Sequence, residues 1–381
     1  MAKGSIRDRG NGKYQLEYVV GYDNKGNKKR RYKTVKAKNK TEANKLLAQF
    51  ITEIETGTYF KESKITFGQF AEQWKEKYAP KHLELKTIKN NESLLKRYFI
   101  PVFGHIPLEK ISHLYILDFV DKLKEKGLKH TTINMMIQSF KSMLEVAVDW
   151  KLIKENPAKD IKNLKEEHKE VEVYTNDEVM TLFEALDHDK PHYRILFKLA
   201  VTTGMRKGEL LALKWDNVDL EEGTIHVKET VSHLNKQFIF KEPKTKNSVR
   251  TISLPQFMID ELKQYHLHCK KTRFKMGELY KNPHNLLFHT INGNPITSSN
   301  ISQKWKALTE QAGLKYIKFH ALRHTSATIL INQGLPAKII SSRLGHANVM
   351  TTLNIYAHAL READETAAQK IEDIFGDKQV R

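Results

Sequence analysis

At 381 residues the chain is too long for one ordinary core, and a composition 40% hydrophobic and 29% charged is that of a folded protein of two or three domains. A single cysteine, Cys269, excludes an internal disulfide and any multi-cysteine metal site, and no apolar run is long enough to span a bilayer. The net charge of +19 favours a polyanionic partner, and nucleic acid above an acidic membrane surface, because no basic helix carries the exposed apolar face a membrane would require. Lys3, Arg7, Asp8 and Arg9 precede no apolar stretch, so no signal peptide is expected and a reducing, cytoplasmic setting fits.

Residues 1–63 hold 15 Lys and Arg against 7 Asp and Glu. Tyr14, Leu16, Tyr18 and Val20 alternate with polar neighbours, the period of a half-buried strand. Asn11-Gly12 and Asn24-Lys25-Gly26-Asn27 are turn signals on either side, and a basic strand follows from Lys28 to Lys38. Thr41 is then expected to cap a helix whose apolar face is Ala43, Leu46, Leu47, Phe50, Ile51 and Ile54, with Gly57 closing it. The result is a small three-stranded sheet backed by one helix. Its outer face is expected to carry Arg7, Arg9, Lys29, Arg31 and Lys33, a ribbon able to enter a DNA major groove.

Residues 64–168 read as nearly all helix. Thr66 precedes Phe67, Phe70, Trp74 and Tyr78, a run that Pro80 should stop. Thr87 opens a second helix, ended by Pro101 and Gly104; Ser112 leads a third; Thr131 leads a fourth with a 3.6-residue stripe through Ile133, Met136, Ile137, Phe140, Met143, Leu144 and Ala147. That stripe is core packing. Lys86, Lys89, Lys96, Arg97, Lys129 and Lys141 lie between the apolar positions, where they can follow a duplex backbone. The charged stretch Lys165–Glu170 reads as a linker. Thr175 with Glu178 forms a capping box that starts a new domain, in which helices are interrupted by strands near Thr224–Ser232, Phe238–Lys241 and Val249–Leu254.

The residues able to do chemistry cluster in this last segment. Thr203-Gly204-Met205-Arg206-Lys207-Gly208-Glu209-Leu210 places an arginine at the start of a helix, where its planar fork can grip two phosphate oxygens. A plain surface pair between Arg206 and Glu209, one turn apart, is the ordinary alternative. His320-Ala321-Leu322-Arg323-His324 puts an imidazole and a guanidinium on one helical face. His320, His324 and His346 can also be read as metal ligands, but they lack the carboxylate or thiolate partners and the spacing of zinc sites. Leu344-Gly345-His346 comes ten positions before Tyr356, in Asn354-Ile355-Tyr356-Ala357-His358. Between these motifs lies the basic turn Pro243-Lys244-Thr245-Lys246.

Together the motifs resemble the active site of the tyrosine recombinases, the phage-integrase family, and the resemblance covers nearly the whole chain. It implies a multidomain, mainly α protein with small β-sheets: an arm-type DNA-binding domain (1–63), a helical core-binding domain (64–168) and an α+β catalytic domain (169–381). It implies that Arg206 and Arg323 clamp a phosphodiester, that His346 hydrogen-bonds it, and that His320 is a hydrogen-bond donor or proton acceptor near the attacking oxygen. Tyr356 would attack phosphorus and Lys244, with Lys246 as rival, would protonate the departing 5′ oxygen. Glu209 would orient Arg206. No cofactor and no metal are expected, since fixed cations take the place of divalent ions. The implied partners are double-stranded DNA at core and arm sites, three further copies of the chain in a tetramer, and DNA-bending and directionality proteins. The apolar face Ala367, Ile371, Ile374 and Phe375 would pack on its own domain or on a neighbouring protomer. Two rivals remain at this point: a topoisomerase forming the same phosphotyrosine, and a DNA-binding regulator on an inactive scaffold.

Overall fold

Alternation in the first forty residues becomes the antiparallel sheet β1 (Gly4–Asp8), β2 (Lys13–Tyr22) and β3 (Lys28–Lys36), in the order β1-β2-β3. Helix α1 (Lys40–Glu55) covers one face, where Leu16, Tyr18 and Phe50 form the buried centre of a small core. This is a computed structural model. It describes residues 4–56, 65–166, 171–234, 237–242, 248–346, 348–350, 352–353 and 371. The expected closing Gly57, the catalytic candidates Lys244, Lys246 and Tyr356, and Ala367, Ile374 and Phe375 lie outside the described residues.

Two expectations for this first element fail for local reasons. The helix is capped by Asn39, whose side chain accepts from the Glu42 N–H at 2.9 Å, so Thr41 sits inside the first turn. Register also divides the basic strand between two faces. Lys33 stands opposite Leu16 and Arg31 opposite Tyr18, on the helix side, and Lys33 pairs with Glu53 at 3.2 Å. The outer face carries Arg7, as expected, together with Lys13, Arg30 and Tyr32, because opposed residues of an antiparallel pair share a face.

The chain divides into two compact units, Met1–His168 and Lys169–Arg381. In the first, a second core is built by α2 (Phe67–Gln73), α3 (Ala79–His82), α4 (Leu85–Leu94), α5 (Ile100–Phe103), α6 (His113–Glu125) and α7 (His130–Asp149). Phe140 sits at its centre, with ring centroids of Phe103, Phe99 and Phe67 at 4.8, 4.9 and 5.2 Å. Thr66 starts α2 with a capping box and Ser112 caps α6, each directly before its expected apolar run. Thr87 and Thr131 do not cap: α4 starts after Glu84 and α7 after Lys129.

Neither Pro80 nor Pro101 stops its helix. Each is preceded by a single wide π turn, Trp74–Tyr78 and Leu95–Phe99. In these turns the Ala79 N–H reaches back to the Trp74 carbonyl and the Ile100 N–H to Leu95. The wider turn steps past the carbonyl that the proline ring would strike, and the helix continues. The linker is also shorter than expected. Asn134 holds Leu164 through both its amide atoms at 3.0 and 2.8 Å, His130 meets the Lys165 carbonyl at 2.7 Å, and Lys141 donates to the Ile161 carbonyl at 2.6 Å. Lys141 is therefore committed inside the unit, not free to follow a duplex.

The second unit opens with α8 (Asn176–Asp187), started by the Thr175–Glu178 capping box, and α9 (Pro191–Thr203). After the short α10 (Lys207–Leu211) come β4 (Val218–Asp219), β5 (Thr224–Val227) and the hairpin β6 (Thr230–Leu234) and β7 (Gln237–Lys241). The single strand expected at Thr224–Ser232 is thus two, in different sheets: β5 pairs with β4 and β8 (Arg250–Ser253), and β6 pairs with β7. Helices α11 (Gln256–Met276), α12 (Ser298–Gln311), α13 (Ala321–Asn332) and α14 (Ala337–Leu344) follow. Trp305, Phe197 and Phe319 meet in the core, and the Trp305 indole donates to the Ile317 carbonyl at 2.7 Å. The fold is multidomain and mainly α, with small antiparallel sheets. Among the described residues no helix is long and apolar enough to cross a membrane.

Candidate active site

The corner between α9 and α10 sets the site. Gly204 ends α9 in the left-handed conformation, φ 62°, and its N–H returns to the Ala200 carbonyl. A side chain there would overlap Leu344 of α14 and crowd Ser326 of α13, so glycine lets three helices converge. Arg206 follows in extended conformation as the N-cap of α10. That helix has only five residues, so the guanidinium itself and not a long helix dipole supplies the positive charge.

Arg206 is bound on two sides. Its Nη1 donates to Glu209 Oε1 at 2.7 Å, its backbone N–H to Glu209 Oε2 at 2.9 Å, and its Nη2 to the Gly345 carbonyl at 2.9 Å. Its side chain is still 37% exposed, whereas Glu209 is 3% exposed. Arg323 is different. It is buried, donates from Nη1 to the Gly204 carbonyl at 2.7 Å, and leaves Nη2 buried with no hydrogen-bond partner among the described residues. A guanidinium nitrogen sealed from water without an acceptor is costly. His346 follows α14, half-buried, with Nδ1 at 2.7 Å from the Thr352 hydroxyl. His320 is the exposed N-cap of α13, and its ring stands edge-on to His324 at 5.5 Å.

Charge is unbalanced here: Arg206, Arg323 and Arg250 surround the one carboxylate of Glu209. Burial, then the charge of Arg206, pulls the Arg323 guanidinium down to about 9. Burial alone would raise the Glu209 carboxyl, but its bonds to Arg250 and Arg206 hold it below the usual range. Partial desolvation and then the neighbouring cations lower His320, and burial with Arg323 and Arg206 pushes His346 down to about 4. Both imidazoles are neutral near pH 7. The cluster wants an anion.

A pH consequence follows from His346. Its folded-state value lies below the ordinary 6.5, so below that pH the unfolded chain binds the extra proton. Stability should fall as pH drops from about 6.5 towards about 4. Thermal melting across that window should show His346→Asn losing less stability than the parent; an equal loss would assign the acid sensitivity to other groups, such as His192, which burial also lowers to about 4.

The structure thus brings together Arg206, His320, Arg323 and His346, while Lys244 and Tyr356 lie outside the described residues. Sequence reading missed Arg250, Arg343 and Thr352. Arg250 did leave a signal: it alternates with Ile252, which is 1% exposed, so a charge stands at an inward position of β8. Among the described residues, no three or more His, Cys, Asp or Glu side chains are grouped so as to hold a metal ion.

Comparison with known proteins gives the class. The family model described as Phage integrase family matches residues 172–363, and that of the phage integrase N-terminal SAM-like domain matches 66–124. The chain is 30% identical, over 96% of its length and 97% of the relative's, to a protein named Tyrosine recombinase XerC-like from Caldanaerobacter subterraneus subsp. tengcongensis. It is 26% identical to the ICEBs1 integrase of Bacillus subtilis, over 97% of this chain and 100% of that one. In fold it is similar to the Tn1549 transposon integrase solved with a circular intermediate DNA, with a TM-score of 0.66 at 23% identity over 80% of this chain and 99% of that one. It is also similar to a lambda integrase tetramer solved on a Holliday junction, with a TM-score of 0.57 at 19% identity over 93% and 94% of the two chains. The chain belongs to the phage integrase family. Within that family it is a site-specific tyrosine recombinase of the integrase type.

Proposed function

We propose that this chain cuts one strand of duplex DNA through Tyr356 and rejoins it to a new partner, integrating or excising a mobile element. Arg206 and Arg323 hold the two non-bridging oxygens of the scissile phosphate, and His346 donates an N–H to it. With the Thr352 hydroxyl donating to Nδ1, that N–H is on Nε2. His320 accepts the phenol proton, the Tyr356 oxygen bonds to phosphorus, and the 5′ oxygen leaves with a proton from Lys244. The 3′-phosphotyrosyl bond replaces the phosphodiester with little change in energy. A 5′-hydroxyl from the second duplex then reverses the step, through a four-way junction. Support for this reading comes above all from the buried Nη2 of Arg323, which has no acceptor among the described residues and stands beside Arg206. An anionic phosphate oxygen satisfies it.

The remaining assignments follow from the same reading. Residues 1–63 bind arm-type sites, 64–168 grip the core site, and 169–381 carry out chemistry. Four copies assemble on two duplexes, with DNA-bending and directionality proteins, in the cytoplasm of a bacterial host. The lambda integrase tetramer and the DNA-bound Tn1549 integrase support this by similarity of fold. Incubating the protein with a nicked duplex taken from the junctions of its element should give an SDS-resistant adduct, undiminished by EDTA. A band shift without adduct would instead mark a regulator, and loss in EDTA with rescue by Mg²⁺ would reject the metal-free route. Removing residues 1–63 should spare cleavage of core-site DNA and reduce integration between full attachment sites; undiminished integration would refute the arm-binding assignment.

A further inference from the structure

Arg250 stands outside the six residues just given roles, yet it is deeper and more fully bonded than Arg206. Its side chain is 6% exposed. Nη2 donates to Glu209 Oε2 at 2.9 Å, Nε to the Arg343 carbonyl at 2.7 Å, and Nη1 to the Ser248 carbonyl at 3.0 Å. One planar fork therefore joins three things: the strand that follows the lysine turn, the buried carboxylate beneath Arg206, and the last turn of α14. Arg206 reaches the same carboxylate from the other side and donates to the Gly345 carbonyl. The two guanidiniums thus bracket Leu344, each holding a carbonyl next to it, and His346 is the next residue along. Each nitrogen of Arg250 already donates within the protein, and so little of it is open that it has no route to a substrate. In this it is the opposite of Arg323.

We propose that Arg250 is a positioning residue for strand transfer, locking Glu209 and the end of α14 in one geometry so that Arg206 and His346 meet the scissile phosphate together. This rests on the reading of Arg206 and His346 as phosphate ligands. Arg206 contributes the clamp, but it cannot set its own orientation. Its anchor is a carboxylate that burial would otherwise tend to neutralise, and Arg250 is foremost among the groups opposing this. Lysine is a poor substitute, because one ammonium cannot serve a carboxylate and two carbonyls on three different elements with the fork's fixed geometry. Groups that hold a contacting residue in place typically matter to rate by on the order of 10–100-fold.

The test is single-turnover cleavage of the nicked duplex as a function of pH, for Arg250→Gln and Arg250→Lys, each alone and combined with Glu209→Gln. Arg250→Gln should slow cleavage by on the order of 10–100-fold, leave duplex affinity within about threefold, and move the acid limb of the profile to higher pH. Arg250→Lys keeps a buried cation, so it should fold, lie between the two, and carry the test alone where glutamine prevents folding. With Glu209 already replaced, Arg250→Gln should no longer move the acid limb. The same displacement in that background, an unmoved limb in the parent background, or affinity lost in proportion to rate would each overturn the proposal. The parent protein is the control: absence of a Tyr356 adduct there defeats the catalytic reading itself, whereas an adduct with unaffected Arg250 variants defeats only this inference.

Discussion

Replacing Tyr356 with phenylalanine is expected to abolish the covalent protein–DNA adduct while leaving duplex binding unchanged. A phenol titrates near pH ~10 and is a weak nucleophile at neutral pH, so the surrounding cations must take up its charge as the bond to phosphorus forms. Phenylalanine keeps the ring and removes the attacking atom, and loss of a nucleophile can cost about 10⁶-fold in rate. Three described tyrosines of the catalytic unit are poor replacements. Tyr265 is 2% exposed, donates to the Leu287 carbonyl at 3.0 Å, and burial pushes its hydroxyl well above the usual range. Tyr174 is likewise buried, donates to the Lys315 carbonyl at 2.8 Å and is shifted upward by burial. Tyr280 bonds His289 and is shifted the same way. The measurement is denaturing electrophoresis with the 5′ end of the cleaved strand labelled. An adduct persisting in Tyr356→Phe would move the nucleophile elsewhere.

Arg323→Met should separate function from stability. Cleavage is expected to fall by on the order of 10²–10³-fold, the scale for losing one preorganised charge-stabilising donor. The melting temperature of the DNA-free protein is expected to stay level or rise. Two effects oppose each other. Methionine forfeits the bond to the Gly204 carbonyl, worth about 1–3 kcal/mol if that carbonyl is left without a partner. It also removes a buried cation that shares the Glu209 carboxylate with two other arginines, faces Arg206, and strands one nitrogen without an acceptor among the described residues. Replacing buried charge by apolar volume is often neutral or stabilising by about 1–4 kcal/mol, so the second effect should at least match the first. Calorimetry on the free protein checks this. A large drop in melting temperature with a matching loss of activity would make Arg323 a structural residue. Arg250→Gln should instead lower the melting temperature along with the rate, since its fork donates to Glu209, Arg343 and Ser248 within the protein.

What could be read from residues alone is what local chemistry controls. The caps at Thr66, Ser112 and Thr175 form because the acceptor and the orphan N–H lie within three residues of each other. The stripe from Ile133 to Ala147 packs as a core because helical period alone brings those positions to one face. The motif around Arg206 was legible for the same reason: Glu209 is one turn away, and their ion pair needs no help from the rest of the chain.

Tertiary structure decided the rest. Thr87 and Thr131 are as good caps by composition as those that work, yet α4 starts after Glu84 and α7 after Lys129. Prolines 80 and 101 stay inside helices because a π turn, held by the surrounding core, removes the clash that would have ended them. Lys33 faces a helix through pairing with β2, which single-strand alternation cannot reveal. Local order cannot bring Arg206, Arg250, His320, Arg323 and His346 together, because they come from four stretches of chain far apart in sequence. Their meeting depends on Gly204 admitting Leu344 and Ser326 to one corner, a packing event between helices more than a hundred residues distant. The sequence by itself determined which side chains can bind a phosphate; only the folded corner decided that Arg323 would be left with an unmet donor and Arg250 with none.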